Sequence, residues 1–233
     1  MALKLAVLIS GRGSNLAAIL HAIAAGRCAA RVALVLSDRA DAQGLALARE
    51  HGIASQVVRL QDQPDRAAWD RALAECAAEA EPDLVVLAGF MRLLGPAFLA
   101  RFPQRVINVH PALLPLFPGK AGPAEAIAAG MRVSGCSVHV VDGGVDTGPI
   151  IAQAVVPIVP GDDAGRLHAR IQRVEHVLLP RVIDAIARRE GEDPFGRGFR
   201  RIAQVRDHFE QRRPAGQRGE AGGVDFAPAS VDR

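Results

Sequence analysis

The segment Ile107-Asn108-Val109-His110-Pro111 carries the residue types best suited to catalysis. Its alternation of apolar and polar residues reads as the end of a β-strand. On such a strand Asn108 and His110, two apart, share one face. A strand-end Asn can donate to a developing oxyanion, and a His beside it can donate too or move a proton. A lone His more often satisfies a core hydrogen bond. The neighbouring Asn108 and the proline-rich stretch that follows favour chemistry.

A second cluster is Asp142-Gly143-Gly144-Val145-Asp146-Thr147-Gly148-Pro149. Acids set among glycines suggest backbone brought close to a ligand. A carboxylate beside His110 would stabilise its cationic form. The plainer reading is a solvated Asx turn, common for Asp next to Gly. Spacing alone does not choose between Asp142 and Asp146.

Ser10-Gly11-Arg12-Gly13-Ser14-Asn15-Leu16 joins a predicted strand to a predicted helix. Its glycines allow a sharp turn, and a helix N-terminus offers free N–H groups to an anion. Ser14 and Asn15 add side-chain donors. A dinucleotide fingerprint needs a third glycine where Leu16 stands, so a single phosphate fits better than a pyrophosphate. Asp38, ending the second strand, could grip a ribose and keeps a dehydrogenase in view. The plainer alternative is a tight turn with Ser14 as N-cap.

Metal ligation fits poorly. Cys136 and His139 are three apart on a predicted strand and face opposite sides. His168 and His176, eight apart on a helix, stand about 12 Å apart along its axis. No CxxC or HExxH occurs. Cys136 reads as a small buried apolar residue, and Trp69 and Leu73 as core.

These groups need a scaffold, and the hydrophobic pattern supplies one. Strands at 5–9, 32–36, 56–58, 84–87 and 106–109 alternate with helices at 16–25, 41–51 and about 64–80, the last with Pro64 at its start. That rhythm predicts an α/β fold: one doubly wound, mostly parallel sheet with a Rossmann-type N-terminal half. Pro111, Pro115, Pro118 and Pro123 fill an irregular loop. Strands at 134–141 and 150–156 follow, then a helix capped by Asp162 or Asp163. Its apolar stripe is Leu167, Ile171, Val174, Leu178, Val182 and Ile186. Residues 1–190 read as one domain. Residues 191–233, with 8 basic and 7 acidic side chains among Gly, Arg and Pro, read as a tail with little core of its own.

Composition narrows the classes. The 233 residues are 49% apolar and carry a net charge of +3, which excludes disorder as the main state. No apolar run approaches the roughly 20 residues of a membrane span. The first segment, 1–9, is too short for a signal peptide. Cys28, Cys76 and Cys136 are scattered and odd in number, which fits a reducing cytoplasm. A pI near 9.1 invites a nucleic-acid reading. Dispersed arginines and 4% aromatic content argue against it.

Taken together, Leu8-Ile9-Ser10-Gly11-Arg12-Gly13-Ser14-Asn15-Leu16, Leu87-Ala88-Gly89-Phe90-Met91-Arg92-Leu93-Leu94, Asn108-Val109-His110-Pro111 with Leu113-Leu114-Pro115, and Ser137-Val138-His139 leading to Asp146-Thr147-Gly148-Pro149-Ile150-Ile151 carry a resemblance. The chain resembles the folate-dependent phosphoribosylglycinamide formyltransferase family over about residues 3–190. The Asn-His-Asp set is shared by a wider superfamily of formyltransferases and hydrolases. The early glycine loop is more specific.

The resemblance implies that Asn108 and His110 polarise the formyl group and hold the oxyanion, with His110 as proton donor. It implies Asp146, and not Asp142, as the partner of His110 and the group that helps move the amine proton. Gly13, Ser14 and Asn15 would hold the ribose phosphate by their backbone, with Gln172 and Glu175 on the rest of the ribonucleotide. Arg66, Met91, Arg92, Leu93, Leu94, Asn108, Val141, Asp142, Gly143, Gly144, Val145 and Asp146 match folate-binding positions. 10-Formyltetrahydrofolate would be the co-substrate, with no metal. The implied partners are small molecules, without nucleic acid or membrane, for a cytoplasmic monomer or homodimer. One departure stands out: the family carries His near where Ala121 and Pro123 stand.

Three other readings compete. Hydrolysis of the formyl folate uses the same triad, but that family adds an N-terminal domain. Methionyl-tRNA formyltransferase needs a further C-terminal domain, for which residues 191–233 are too few. A non-enzymatic phosphate-binding module would leave Asn108, His110 and Asp146 without a shared task.

Overall fold

Apolar runs without polar alternation demand cover on both faces, and the sheet is built accordingly. The computed structural model describes residues 2–188. The expected 191–233 tail, and with it the boundary at 190, lies outside the described residues. The elements are β1 (Leu3–Ile9), α1 (Ser14–Ala24), β2 (Ala30–Ser37), α2 (Gly44–Glu50), β3 (Ala54–Val57), α3 (Arg66–Glu79), β4 (Leu84–Leu87), α4 (Pro96–Arg101), β5 (Val106–His110), α5 (Gly122–Ala128), β6 (Val133–Val140), β7 (Ile150–Pro157) and α6 (Ala164–Ala187).

The strand order is β3-β2-β1-β4-β5-β6-β7. Pairs from β3 through β5 are parallel, and β6 and β7 are antiparallel additions. This is the doubly wound, mostly parallel α/β sheet that the strand–helix rhythm predicts. Strand order reverses between β1 and β4, and ligands of such sheets bind beyond the carboxyl ends at that reversal.

Alternate residues of each strand feed two cores. Ala6, Leu8, Leu36, Val85 and Leu87 pack with Trp69, Leu73, Phe98 and Phe102 of the α3–α4 layer. Leu5, Val7 and Ile9, all fully buried, point the other way. On that side α1, α5 and α6 pack together. The predicted stripe of α6 is buried along its whole length, from Leu167 to Ile186. Among the described residues, no helix is long and apolar enough to cross a membrane.

Several local expectations are revised, and one choice between two caps is resolved. The chain between β4 and β5 contains α4, and the proline-rich stretch ends in α5, with Pro123 in its first turn. Proline is tolerated there because the first-turn N–H has no intrahelical partner. Pro64 precedes α3, whose N-cap is Asp65, accepting from Ala68 N–H at 2.6 Å. Asp163, not Asp162, caps α6, accepting from Arg166 N–H at 2.7 Å. Asp162 instead pairs with Arg170 at 2.6 and 2.8 Å. The N-cap of α1 is Gly13, not Ser14, and no side chain caps that helix.

Candidate active site

The register of three strands sets the first cluster. Asn108 on β5 lies level with Leu87 at the end of β4 and with His139 on β6. Leu87 belongs to the α3–α4 core, so Asn108, His110 and His139 emerge on that face. Cys136 and Val138 take the opposite face. There burial, with the nearby Glu175 carboxylate, pushes the Cys136 thiol up. It is buried, as expected of a small apolar residue.

Asp146 stands at the centre. Its Oδ2 lies 3.3 Å from His110 Nδ1 and accepts Gly119 N–H at 2.8 Å. Its Oδ1 accepts from Asn108 Nδ2 at 3.3 Å and lies 3.4 Å from His139 Nε2. Burial would raise the Asp146 carboxyl. The hydrogen bonds from His139 and Gly119, with the charges of the two imidazoles, hold it below the ordinary carboxylate value. His110 Nε2 donates to Phe117 O at 2.9 Å. With a carboxylate on one ring nitrogen and a carbonyl on the other, only the doubly protonated ring satisfies both contacts.

Backbone strain marks this cluster. Asp146 and Phe117 both sit at φ +54°, a left-handed conformation that non-glycine residues rarely adopt. The turn carrying Asp146 is held by Asp142, which accepts Gly144 N–H at 3.0 Å and the Thr147 hydroxyl at 2.6 Å. The Thr147 bond leads in keeping the Asp142 carboxyl low. Thus the two acids divide the two readings: Asp142 makes the Asx turn and Asp146 meets the imidazoles. Gly148 is required for fit, since a Cβ there would lie 1.9 Å from Val140 O. The loop after β5 is pinned by the Ser137 hydroxyl, which donates to Ala112 O at 2.7 Å and accepts Leu114 N–H at 3.0 Å.

The second cluster joins the two ends of the fold. Gly13 has φ +75°, and a Cβ there would meet Gly44 Cα at 2.7 Å. Glycine therefore sets both the turn and its closeness to α2. The uncapped start of α1 offers backbone donors at residues 14–16. The Asn15 side chain does not add to them. Its amide turns away and donates to Glu175 Oε2 at 3.1 Å. Arg12 reaches Gln172 Oε1 at 3.4 Å. So Gly13, Ser14, Asn15, Gln172 and Glu175 do converge, through Arg12 and Asn15. Glu175 is 4% exposed. Burial pushes its carboxyl up to about 7, against the lowering effect of the Asn15 bond.

The third group follows β4. Met91 and Leu93 are 57% and 58% exposed, and Leu94 is buried. The Ser10 hydroxyl accepts Met91 N–H at 2.8 Å and donates to Asp38 Oδ1 at 2.6 Å. Arg92 pairs with the other Asp38 oxygen at 2.9 Å. Asp38 is therefore engaged on both oxygens, not presented to a ribose as the dehydrogenase reading requires. Arg66 donates to Leu93 O and lies over the Trp69 ring. Val145, on the Asp146 turn, adds a further exposed apolar side chain. Val141 is tied back to β5 by its N–H on Val106 O at 2.8 Å. Gly143 and Gly144 are exposed between them. A cleft of about 550 Å³ lined by Arg39, Arg59 and Arg92 opens beside this loop, but Asn108, His110 and Asp146 do not line it.

Sequence reasoning singled out neither Arg12 nor His139 for a role, nor the backbone of Phe117 and Gly119. Arg12 and His139 stand within quoted motifs. The two backbone contacts leave no trace in residue type.

Residues 3–183 match the model of a family described as formyl transferase. The chain is 50% identical over 184 residues to a phosphoribosylglycinamide formyltransferase of Mycobacterium tuberculosis, covering 79% of this chain and 85% of that one. It is 43% identical over 185 residues to the Escherichia coli protein of the same name, covering 79% and 87%. A crystal structure of glycinamide ribonucleotide transformylase 1 from Symbiobacterium toebii superposes with a TM-score of 0.79 at 46% identity, covering 80% of this chain and 88% of that one. The carboxylate shared by Asn108 and His110, the uncapped glycine turn and this extent of likeness lead to one assignment: the chain belongs to the formyl transferase family.

Proposed function

We propose that the protein transfers the formyl group of 10-formyltetrahydrofolate to the amine of 5-phosphoribosylglycinamide, a step of purine biosynthesis. The products are formylglycinamide ribonucleotide and tetrahydrofolate. The observation that carries this reading is Asp146, held as a carboxylate between His110 and Asn108 in a chain half identical to a relative of that name.

The amine nitrogen bonds to the formyl carbon, whose oxygen takes up negative charge. Asn108 Nδ2 and His110 donate to that oxyanion, and one such donor is typically worth about 3 kcal/mol. The His110 Nε2 proton, held by Phe117 O, is the one a formyl oxygen can compete for, since Nδ1 faces Asp146. Asp146 takes a proton from the attacking amine through water. The carbon–N10 bond then breaks as N10 gains a proton, so one proton is lost from the amine and one is delivered to the folate. The chemistry needs no side-chain nucleophile and no metal.

The backbone of Gly13, Ser14 and Asn15 holds the phosphate, and Gln172 and Glu175 face the ribose. The exposed Met91 and Leu93, with Arg66, Arg92, Leu94 and the turn Val141–Asp146, take the folate. The protein works in the cytoplasm, as a monomer or homodimer.

The test is acceptor-dependent loss of the formyl group. Formyl folate should be consumed only when glycinamide ribonucleotide is present. Rapid consumption without acceptor would move the assignment to hydrolysis. Asp146→Asn should lower kcat by at least 100-fold while a phosphate ligand still binds. Full activity in that variant would remove Asp146 from the mechanism.

A further inference from the structure

Arg12 is an exposed cation inside the glycine turn and is used by none of the steps above. Its side chain makes one hydrogen bond, to Gln172 Oε1 at 3.4 Å, longer than an ordinary N–H···O bond. Among the described residues no carboxylate pairs with it, so most of its N–H donors are unused. Gln172 stands one helical turn from His168 and one from His176 along α6. Burial first, and then the charge of Arg12, hold both imidazoles below the ordinary histidine value. At neutral pH both rings are therefore uncharged, and the positive charge between them is that of Arg12.

Charge arithmetic gives that cation a task. A ribose phosphate carries nearly two negative charges near neutral pH. The donors assigned to it above are backbone N–H groups at the start of α1, where the helix dipole amounts to about half a positive charge. More than one unit of charge is left unmet. Gln172 is a neutral amide and Glu175 is an acid, so neither supplies it. Two rungs join the turn to α6 and flank Gly13 and Ser14 in sequence: Arg12 on Gln172, and Asn15 on Glu175. Arg12 is the rung that carries a positive charge.

We propose that Arg12 is the charge partner of the acceptor's 5′-phosphate: its guanidinium exchanges the long contact with Gln172 for the phosphate oxygens that the backbone of residues 13–15 leaves free. The inference rests on the proposed formyl transfer, which puts that phosphate at the turn. It assigns Arg12 to recognition and not to the chemical step, which belongs to Asn108, His110 and Asp146. Parallel N–H groups of a guanidinium match phosphate oxygens, and such charge-assisted bonds are about twice as strong as neutral ones. Arg12 then separates a phosphorylated acceptor from the same riboside without its phosphate.

Two acceptors test this in steady-state kinetics of the full chain: glycinamide ribonucleotide, and the riboside that lacks its phosphate. Arg12→Gln should raise KM for the ribonucleotide about 10- to 100-fold, with kcat and the formyl folate KM within about twofold of the parent. Its kcat/KM for the riboside should stay within about twofold of the parent. Arg12→Lys, which keeps the charge but not the fork, should recover part of the loss. Added salt should weaken use of the ribonucleotide more steeply in the parent than in Arg12→Gln. A role in bracing α6 through Gln172 alone predicts an equal loss with both acceptors, and that result would overturn the proposal. So would a ribonucleotide KM for Arg12→Gln within about twofold of the parent. Where the riboside turns over too slowly to assay, ribose 5-phosphate decides: its Kd must rise about 10- to 100-fold in Arg12→Gln, and an unchanged Kd overturns the proposal. A parent chain that binds ribose 5-phosphate but transfers no formyl group would refute the proposed function alone, since the Kd comparison would still judge Arg12.

Discussion

At the scale of single residues, burial changes how an acid titrates. Glu175 shows how this reaches stability. Its carboxyl rises from an ordinary 4.5 to about 7 in the folded chain. The folded state then binds more protons than the unfolded one between those values. The stabilising effect of the protonated carboxyl is fully present below about pH 4.5 and is lost as pH rises through about 7. Glu175→Gln should therefore be more stable than the parent at pH 8, by on the order of 2–3 kcal/mol, with no gain at pH 4. Urea unfolding of both chains at the two pH values checks this, and an equal change at both would contradict it. Part of this was legible in the residues alone. Asn108 and His110 are two apart on a strand, so their shared face follows from the pleat. Asp142 and Asp146 could not be separated that way, because the choice depends on which acid the Gly144 and Thr147 donors engage.

Among the elements, the long α6 is readable from its hydrophobic period and the two shortest helices are not. The α6 stripe repeats over its whole length, and its predicted face is the buried one. Leu178→Ala should cost about 2–5 kcal/mol, as for other large-to-small changes in a core. Asp163→Ala should cost about 1 kcal/mol through the lost cap on Arg166 N–H. Urea midpoints measure both, and a cap loss as large as the core loss would contradict this division. By contrast, α4 and α5 have 6 and 7 residues, too short to show a period. Each begins with proline in its first turn, which reads as loop until a helix is seen to follow. β3 is short and largely exposed, as a sheet edge permits, and begins at Ala54, two residues before the expected start at 56.

Across the whole molecule, two clusters are built by different means. The glycine turn proposed to hold the phosphate rests on Gly13 at φ +75°, packed on Gly44. Gly13→Ala should abolish stabilisation by phosphate or ribose 5-phosphate, which at 100 times its Kd is worth about 2.7 kcal/mol in the parent. Asp146→Asn should keep that stabilisation, because its defect lies in the other cluster. Thermal melts with and without ligand report both, and loss in the Asp146 variant would mean that the clusters are not separable. Their separation has a consequence for how the chain matures. Asn108, His110, His139 and Asp146 lie within 38 positions of one another, whereas Asn15 meets Glu175 across 160. The groups proposed to react are thus local in contact order, and those proposed to bind the ribonucleotide are among the most non-local pairs in the fold. During synthesis from the N-terminus, β5 and β6 precede α6. Until α6 docks, Arg12 and Asn15 lack their partners Gln172 and Glu175, whereas Asn108, His110 and Asp146 need no part of that helix. On the proposed function, docking of the last helix is what completes the ribonucleotide side of the site.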